Sequence, residues 1–407
     1  MTRLQITPDE LPGMETLNMY AKRVLLRVDF NVPLKDRKVA NDKRMRESLP
    51  TLKHLLEQRS KVVLCSHLGR PKGKDESLSM APVADHLETL IDKKVWFEDD
   101  CVGDDVMAAV KKMKPGEIVV LENVRFHPEE EKGDEAFAKK LAATAELYVN
   151  DAFGTAHRPH ASTTIVAKFL PSAAGFLVKK EVESLSRLLG QPGKPYVVVL
   201  GGAKVSDKVQ VLKNLLDDVG KIDALLVGGG MAFTFLAAEG AQVGASLVEK
   251  EMIDTAREIL GSCRSRGVEV HLPLDALAAP GPEVPGDARV VDARKVPPKL
   301  KGLDIGPETV KDFSKALEGA KTVFWNGPMG VFEVKSFRKG TDEIARAIAA
   351  ATKDGAFTVV GGGDSVRAVE DLKIESEFSH VSTGGGASLE FLAEGTLPGL
   401  EALRKKA

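Results

Sequence analysis

The sequence is poor in cysteine. It has three in 407 residues, and Cys65, Cys101 and Cys263 lie far apart without CxxC spacing. An odd number of dispersed cysteines argues against a disulfide scaffold and against a zinc site. Such usage is typical of a reducing compartment, so we expect a cytoplasmic protein.

Neither charge is in excess, and long apolar runs are missing. Because 57 Lys+Arg nearly balance 59 Asp+Glu, no strong overall field attracts nucleic acid or anionic lipid. The longest uncharged stretch, Ala224–Ala238, is shorter than the roughly 20 residues that a membrane-spanning helix needs. Met1–Leu17 carries acidic residues and Pro12-Gly13 where a signal peptide needs an apolar core. We predict no membrane segment, no export signal and no nucleic-acid partner.

Common catalytic motifs are also absent. The sequence contains no GxxxxGK[ST], no complete GxGxxG and no HExxH. Neither the P-loop nor the dinucleotide fingerprint therefore applies. No serine or cysteine has the sequence context of a nucleophile elbow, which favours direct transfer over covalent catalysis.

The sequence does have the length for two domains and a repeated strand–helix pattern. Apolar runs alternate with amphipathic helical segments, which predicts an α/β fold of two doubly wound parallel-sheet (Rossmann-like) domains. The predicted strands are Arg23–Asp29, Lys61–Cys65, Lys94–Phe97, Ile118–Leu121 and Leu147–Val149, then Tyr196–Leu200, Ala224–Val227, Val268–His271, Thr322–Trp325 and Phe357–Val360.

Three further segments complete the pattern. The periodicity of Gly175–Leu189 predicts a helix that connects the two series, and Ala279–Asp287 is dense in Pro and Gly, which is typical of an exposed excursion. The segment from Lys43 to Gln58 has an apolar stripe, but Pro50 must either kink this helix or lie near its start.

Glycines cluster at strand ends in the second series. Gly201-Gly202, Gly228–Gly230 and Gly361–Gly363 follow apolar strands, and Gly384–Gly386 come later. Glycine lets the backbone approach a ligand, and a following helix directs free N–H groups at an anion. One cluster alone is better explained as a tight turn. Four clusters favour a nucleotide or other polyphosphate, because ligands of open α/β sheets gather at strand carboxyl ends.

Charged residues accompany these glycines. Lys204 and Lys208 follow Gly202 at a spacing that places both on one face of an early helix, and Asp364 directly follows Gly363. In isolation, two such lysines indicate a solvated face. Beside the glycines they predict phosphoryl transfer, because lysines neutralise phosphate oxygens and an aspartate can hold Mg²⁺.

The first series carries a different chemistry, because arginine and other polar residues follow its strands. The planar guanidinium of arginine binds carboxylates and phosphates through paired hydrogen bonds. Four strand-end loops that carry arginine and other polar residues therefore predict a small polyanionic substrate. Each arginine alone is equally compatible with a structural ion pair, and each histidine with a core or capping role. These residues are Asp29, Asn31, His67, Arg70, Arg125, His157 and Arg158.

Ordered motifs run through both series, from about Val24 to about Glu390. They are RVDFNVP at Arg27–Pro33, SHLGRP at Ser66–Pro71, LENVRFH at Leu121–His127, NDAFGTAHR at Asn150–Arg158, LGGAKVSDK at Leu200–Lys208, GGGM at Gly228–Met231, GLDIGP at Gly302–Pro307, WNGPMGVFE at Trp325–Glu333, GGGDS at Gly361–Ser365 and STGGGA at Ser382–Ala387. The ordered set resembles the phosphoglycerate kinase family.

The resemblance implies reversible, Mg²⁺-dependent phosphoryl transfer in glycolysis and gluconeogenesis, between 1,3-bisphosphoglycerate with ADP and 3-phosphoglycerate with ATP. It implies a substrate site of Asp29, Asn31, Arg44, His67, Arg70, Arg125 and Arg158. It implies a nucleotide site of Lys204, Gly229, Gly230, Gly302, Asn326, Glu333, Gly362, Gly363, Asp364 and Ser365, with Mg²⁺ on Asp364. Arg44, Lys204 and Lys208 would be catalytic, helped by the backbone amides of Gly384, Gly385 and Gly386, through charge stabilisation rather than proton transfer.

The resemblance also implies the domain plan. Residues 1–174 would form the substrate domain, 175–190 an interdomain helix, 191–390 the nucleotide domain, and 391–407 a segment that returns to the first domain. We expect a monomer whose hinge closes for in-line transfer. A nicotinamide-dependent dehydrogenase would need GxGxxG and an acidic residue about 20 positions on. A non-catalytic nucleotide-binding protein would be favoured by loss of Lys208 or Asp364, and both are present.

Overall fold

The structure, a computed structural model, describes residues 5–217 and 221–404. Its strands are β1 (Arg23–Val28), β2 (Leu34–Lys35), β3 (Lys38–Val39), β4 (Lys61–Cys65), β5 (Val95–Glu98), β6 (Ile118–Leu121), β7 (Leu147–Asp151), β8 (Ser172–Ala174), β9 (Tyr196–Leu200), β10 (Ala224–Val227), β11 (Gln242–Val243), β12 (Glu269–His271), β13 (Asp275–Ala279), β14 (Arg289–Asp292), β15 (Lys295–Val296), β16 (Lys301–Ile305), β17 (Thr322–Asn326), β18 (Phe357–Gly361) and β19 (His380–Val381).

The helices alternate with these strands. They are α1 (Lys43–Glu57), α2 (Ala81–Ile91), α3 (Asp104–Lys112), α4 (Pro128–Lys132), α5 (Glu135–Ala142), α6 (Phe176–Leu189), α7 (Val209–Asp217), α8 (Met231–Ala238), α9 (Ile253–Ser265), α10 (Pro307–Leu317), α11 (Lys339–Lys353), α12 (Gly363–Leu372), α13 (Gly386–Glu394) and α14 (Pro398–Glu401). Within the described ranges, no helix combines the length and apolarity needed to span a membrane.

The chain divides into two compact units. The first comprises Met1–Ser186 with Gly395–Ala407, and the second comprises Arg187–Glu394. The division therefore falls inside α6. Residues 1–4 and 405–407, at the ends of the predicted segments 1–174 and 391–407, lie outside the described residues.

The first unit is built on a parallel sheet in the order β5-β6-β4-β1-β7-β8. Its central strands are buried along almost their whole length, which is why they appear in the sequence as continuous apolar runs. The end of the chain also belongs to this unit: the Ile6 N–H donates to the Gly395 carbonyl at 3.0 Å, and the Gly399 N–H donates to the Ala156 carbonyl at 2.8 Å.

The second unit repeats the plan with the strand order β12-β10-β9-β17-β18-β19, also parallel. The predicted doubly wound layout is thus confirmed in both units. A three-stranded antiparallel sheet, β14-β13-β16, was not predicted. Its strand β13 has the sequence DALAA, which contains none of the β-branched or aromatic residues that are typical of strands. The predicted excursion Ala279–Asp287 connects β13 to β14, and its residues 283–287 are exposed.

The structure resolves the position of Pro50, which lies in the interior of α1. A proline there cannot donate a hydrogen bond to the carbonyl four residues earlier, that of Arg46. Both Pro50 and Arg46 are exposed, so the carbonyl lies on the solvent side of the helix, where water can satisfy it.

Candidate functional site

Polar side chains follow four strands of the first unit, β1, β4, β6 and β7. These strands are neighbours and parallel, so their carboxyl ends meet at one edge of the sheet. The loops beyond them carry the substrate-site residues that the sequence predicted, joined by Arg44 from the first turn of α1.

Hydrogen bonds between loops hold the first of these residues in place. Asp29 Oδ2 accepts from Arg44 Nη1 at 2.9 Å, which explains how a helix residue reaches the strand ends. The side-chain oxygen of Asn31 accepts from the Gly69 N–H at 2.9 Å and so ties the β1 loop to the β4 loop.

Arg125 is the most informative residue of this edge. It is only 5% exposed, and its Nη1 donates to the Gly69 carbonyl at 2.6 Å, while Nε lies 3.2 Å from Glu131. Its Nη2 atom is buried and has no hydrogen-bond partner. Burial, and then the nearby charge of Arg158, lower the Arg125 pKa to about 10. A buried guanidinium with unused donors is poised to bind an anion.

His67 lies among the arginines and is 3% exposed. Burial holds its pKa well below the ordinary value, and the charges of Arg27, Arg125, Arg158 and Arg44 lower it further. Four guanidinium groups therefore surround one neutral imidazole. The loops bring together Asp29, Asn31, Arg44, His67, Arg125 and Arg158 as predicted, whereas Arg70 lies in the same loop as His67 with an exposed side chain.

Two residues of this cluster escaped the sequence interpretation. Arg27 lies inside β1 at 1% exposure, and His160 lies after β7 at 9% exposure. Burial, followed by the charge of Arg125, lowers the His160 pKa to about 3. A charged residue inside an apolar strand was a visible signal for Arg27, whereas His160 had no comparable signal.

The second unit has a cavity of about 270 Å³ at the ends of β9, β17 and β18. Of the predicted residues, the lining includes Lys204, Lys208, Asn326, Gly362, Gly363, Asp364, Ser365, Gly385 and Gly386. Three of the four glycine clusters contribute, as does Gly327, which follows β17. Such walls allow a ligand to contact the backbone closely.

The two lysines of this cavity lie in a loop and not in a helix. Their spacing predicts that Lys204 and Lys208 share one face of a helix, but α7 begins only at Val209, so both lie in the preceding loop. Glu249 holds that loop, because its carboxylate accepts from Ser206 Oγ at 2.6 Å. The Lys208 ammonium donates to the Asn326 side-chain oxygen, and burial lowers the Lys208 pKa. The buried Asn326 Nδ2 has no partner and is free to donate to a ligand.

Two helices begin at the cavity. Helix α12 starts at Gly363 and α13 at Gly386, and each leaves unpaired N–H groups in its first turn. Gly362, the residue before α12, has φ +88°, and a Cβ there would lie 2.7 Å from Asn326 Nδ2. Glycine is therefore required at this turn. Two helix N-termini and two lysines make the cavity chemically suited to an anion.

Other predicted nucleotide residues lie outside the cavity lining. A Cβ on Gly302 would overlap the Phe233 ring, and one on Gly229, with φ +66°, would lie 2.6 Å from the Gly202 backbone. Gly230 precedes α8, Glu333 is exposed, and the Gly384 N–H donates to Ser382 Oγ at 3.1 Å. Gly302 and Gly229 are therefore explained by close packing, because neither position has room for a side chain.

A metal ion at the cavity would have one protein carboxylate in the α12 first turn, that of Asp364. Mg²⁺ fits this arrangement because it is commonly held by one or two carboxylates together with substrate phosphates and water. Across residues 5–217 and 221–404, only Asp100, Cys101 and His127 bring three possible ligand atoms within 4.8 Å of one another. There the Asp100 carboxylate already pairs with His127 at 2.7 Å, and burial raises the Cys101 thiol pKa, which disfavours a metal-binding thiolate.

One doubly wound unit carries an arginine cluster, and the other carries a cavity that is lined by glycines and flanked by lysines. Together they are the features of an α/β phosphotransferase. Comparison with known proteins agrees. The sequence profile of the phosphoglycerate kinase family matches residues 14–395. The chain belongs to this family.

Close relatives cover nearly the whole chain. Phosphoglycerate kinase of Moorella thermoacetica is 52% identical, over 97% of this chain and 99% of that protein. A phosphoglycerate kinase of Thermus thermophilus is 54% identical, over 95% of this chain and 98% of that protein. The structure of phosphoglycerate kinase from Coxiella burnetii superposes with a TM-score of 0.86 at 40% identity, covering 97% of this chain and 98% of that chain. Family membership removes the dehydrogenase alternative.

Proposed function

We propose that this chain catalyses the reversible transfer of a phosphoryl group between 1,3-bisphosphoglycerate and ADP, forming 3-phosphoglycerate and ATP. The observation that carries the proposal is the cluster of four arginines around His67, in which the buried Nη2 atom of Arg125 has no hydrogen-bond partner. A nucleotide-binding protein without a second substrate would have no use for such a costly cluster.

The arginine edge is proposed to bind phosphoglycerate. Arg125 and Arg158 provide charge, and His67 and Asn31 provide neutral hydrogen-bonding groups. The hydrogen bond to Asp29 fixes the position of the Arg44 guanidinium and leaves its other N–H groups for the substrate. Forks of this kind bind carboxylates and phosphates through paired hydrogen bonds. Arg70, on the exposed part of the β4 loop, would join them when substrate binds.

The cavity of the second unit is proposed to bind the phosphates of the nucleotide. Lys204, the amides at the start of α12 and the Asn326 Nδ2 donor face the space that the phosphates would occupy. Gly229, Gly230, Gly302 and Glu333 would then belong to the wall around the nucleoside. Mg²⁺, held by Asp364 and the phosphates, supplies charge neutralisation when bound.

The chemistry needs no general base. The carboxylate of 3-phosphoglycerate is already ionised near neutral pH and attacks the terminal phosphorus of ATP directly. Charge develops on the transferred oxygens, and Arg44, Lys204, Lys208 and the amides of Gly385 and Gly386 are proposed to stabilise it, whereas the Gly384 amide already donates to Ser382 Oγ. Burial lowers the Lys208 pKa because the ammonium has lost solvation, and a charge with little solvation interacts strongly with a bound anion.

A coupled assay tests the proposal. Purified chain, ATP, Mg²⁺ and 3-phosphoglycerate should release ADP, followed through oxidation of NADH by a linked pyruvate kinase and lactate dehydrogenase system. Omitting 3-phosphoglycerate is the control, because hydrolysis of ATP by water would still release ADP. Absence of acceptor-dependent turnover would contradict the kinase assignment and favour the non-catalytic alternative.

A further inference from the structure

Arg27 makes directed hydrogen bonds in the interior of the first unit. Its Nε donates to Ser162 Oγ at 2.8 Å, its Nη1 donates to the Val28 carbonyl, and its Nη2 lies 3.2 Å from His67 Nδ1. A guanidinium carries only donors. His67 Nδ1 must therefore accept, and the direction of this hydrogen bond is fixed.

That direction determines the protonation of His67. If Nδ1 accepts, it carries no proton, and the neutral ring bears its proton on Nε2. An imidazolium would set two N–H groups against each other. The charged groups that face the ring, Arg27, Arg44, Arg125 and Arg158, all act in the same sense, and burial adds to their effect on the His67 pKa.

The other side of Arg27 leads to a carboxylate. Ser162 Oγ has one proton, which it donates to Glu130 Oε1 at 2.6 Å, so its lone pair accepts from Arg27. Glu130 Oε2 accepts from the Ser162 N–H at 2.8 Å. Glu130 is fully buried in α4, and Ser162 is fully buried as well. A carboxylate at this depth offsets the buried charge of Arg27, whose proximity in turn lowers the Glu130 pKa that burial raises.

We propose that Glu130 is a positioning residue that acts through Ser162 and Arg27 to hold His67 as the neutral tautomer protonated on Nε2. His67 then presents an N–H donor to an anionic oxygen of the substrate, and neither an imidazolium nor a base. The substrate contact rests on the proposed function above, whereas the tautomer is a property of the free protein.

Nuclear magnetic resonance of the full chain labelled with ¹⁵N-histidine tests the tautomer without any turnover. Long-range ¹H–¹⁵N spectra, with His67 assigned from His67→Gln, should show an unprotonated Nδ1 and a protonated Nε2 between about pH 5 and 8. A His67 ring that titrates in this range, or that carries its proton on Nδ1, overturns the proposal.

Ser162→Ala tests the connection to Glu130, because it removes one oxygen and separates the carboxylate from Arg27. We expect a second tautomer or a titrating His67, and a KM for 3-phosphoglycerate raised about three- to tenfold with a smaller change in kcat. The matched control is Thr163→Val, which removes the adjacent buried hydroxyl, an oxygen that has no hydrogen-bond partner. It should leave both measurements unchanged.

Glu130→Gln should shift the His67 spectrum in the same direction. This second variant keeps the proposal testable if the Ser162→Ala protein folds poorly. Unchanged His67 spectra in both folded variants would show that Glu130 does not act on His67. If the wild type shows the expected tautomer but no turnover, the proposed kinase function fails and the tautomer assignment stands.

Discussion

Arg44 illustrates what single residues contribute and how far sequence alone could identify them. The sequence offered no pattern for it, because it lies in a helix amid Lys43 and Arg46, and only the family resemblance placed it in the site. The structure provides the missing physical reason: its guanidinium pairs with Asp29 at a strand end, 2.9 Å away. Arg125 and His67, by contrast, lie in the loops that follow β6 and β4, and were predictable from that position.

Replacing Arg44 by Ala should lower kcat by about 10²–10³-fold, because one preorganised charge on the transferring group is lost. Its side chain is 41% exposed, so the melting temperature should change little. The control is Arg46→Ala in the same helix, where the exposed arginine pairs with Asp42 in the same manner. If Arg44→Ala lowers only the melting temperature, Arg44 is a structural residue.

Asp364 can be tested in the same way. Asp364→Ala should fold normally, since an exposed carboxylate contributes nothing to packing, but should weaken Mg-nucleotide binding and turnover by at least about tenfold each. Isothermal titration with MgADP measures the first effect. Asp371→Ala, at the other end of α12, serves as the control because its contact with Arg338 is a weak surface pair at 3.5 Å. Wild-type affinity in Asp364→Ala would rule out the proposed metal ligand.

At the scale of elements, the sequence predicted the parallel strands well because each is a continuous apolar run. It failed where the local pattern did not match the final structure. Lys204 and Lys208 have helical spacing, but a hydrogen bond to Glu249 holds their segment in a turn, and α7 begins only at Val209. The antiparallel sheet β14-β13-β16 is not predicted, because β13 is rich in alanine, has no apolar–polar alternation and contains no β-branched residue.

One element junction predicts a pH effect. The fully buried Asp151 at the end of β7 accepts from the Leu177 N–H at 2.9 Å and so holds the start of α6. Burial raises its pKa from 3.8 to about 7. The folded state therefore retains a proton that the unfolded state has released, and this contribution to stability is full below about pH 4 and disappears as pH rises to about 7.

Asp151→Asn cannot ionise, so its free energy of unfolding relative to wild type should rise between pH 4 and 7, by on the order of 2–4 kcal/mol. Urea unfolding at several pH values measures the difference. Asp134→Asn is a suitable control, because Asp134 also caps a helix, accepting from the Phe137 N–H at 2.8 Å. A constant difference between Asp151→Asn and wild type across this pH range would contradict a buried, protonated Asp151.

At the scale of the whole molecule, the two proposed binding sites belong to different units. The arginine edge lies in the unit of Met1–Ser186 and the glycine-lined cavity in that of Arg187–Glu394. In-line transfer requires the attacking oxygen about 3–3.5 Å from phosphorus, with water excluded from the reacting groups. We therefore expect the catalytic cycle to include closure of the units around both ligands, with α6, in which the division falls, as the connection.

The two ligands should act together in this closure. We expect each ligand alone to contact mainly its own unit and to have little preference for a closed form, and both together to bridge the units through Arg44, Lys204 and Lys208. Small-angle X-ray scattering with MgADP and 3-phosphoglycerate, which cannot react with each other, should show the largest decrease in radius of gyration when both are present. The controls are the free chain and each single complex. An equal decrease with one ligand, or an unchanged radius with both, would refute cooperative closure while leaving the kinase assignment intact.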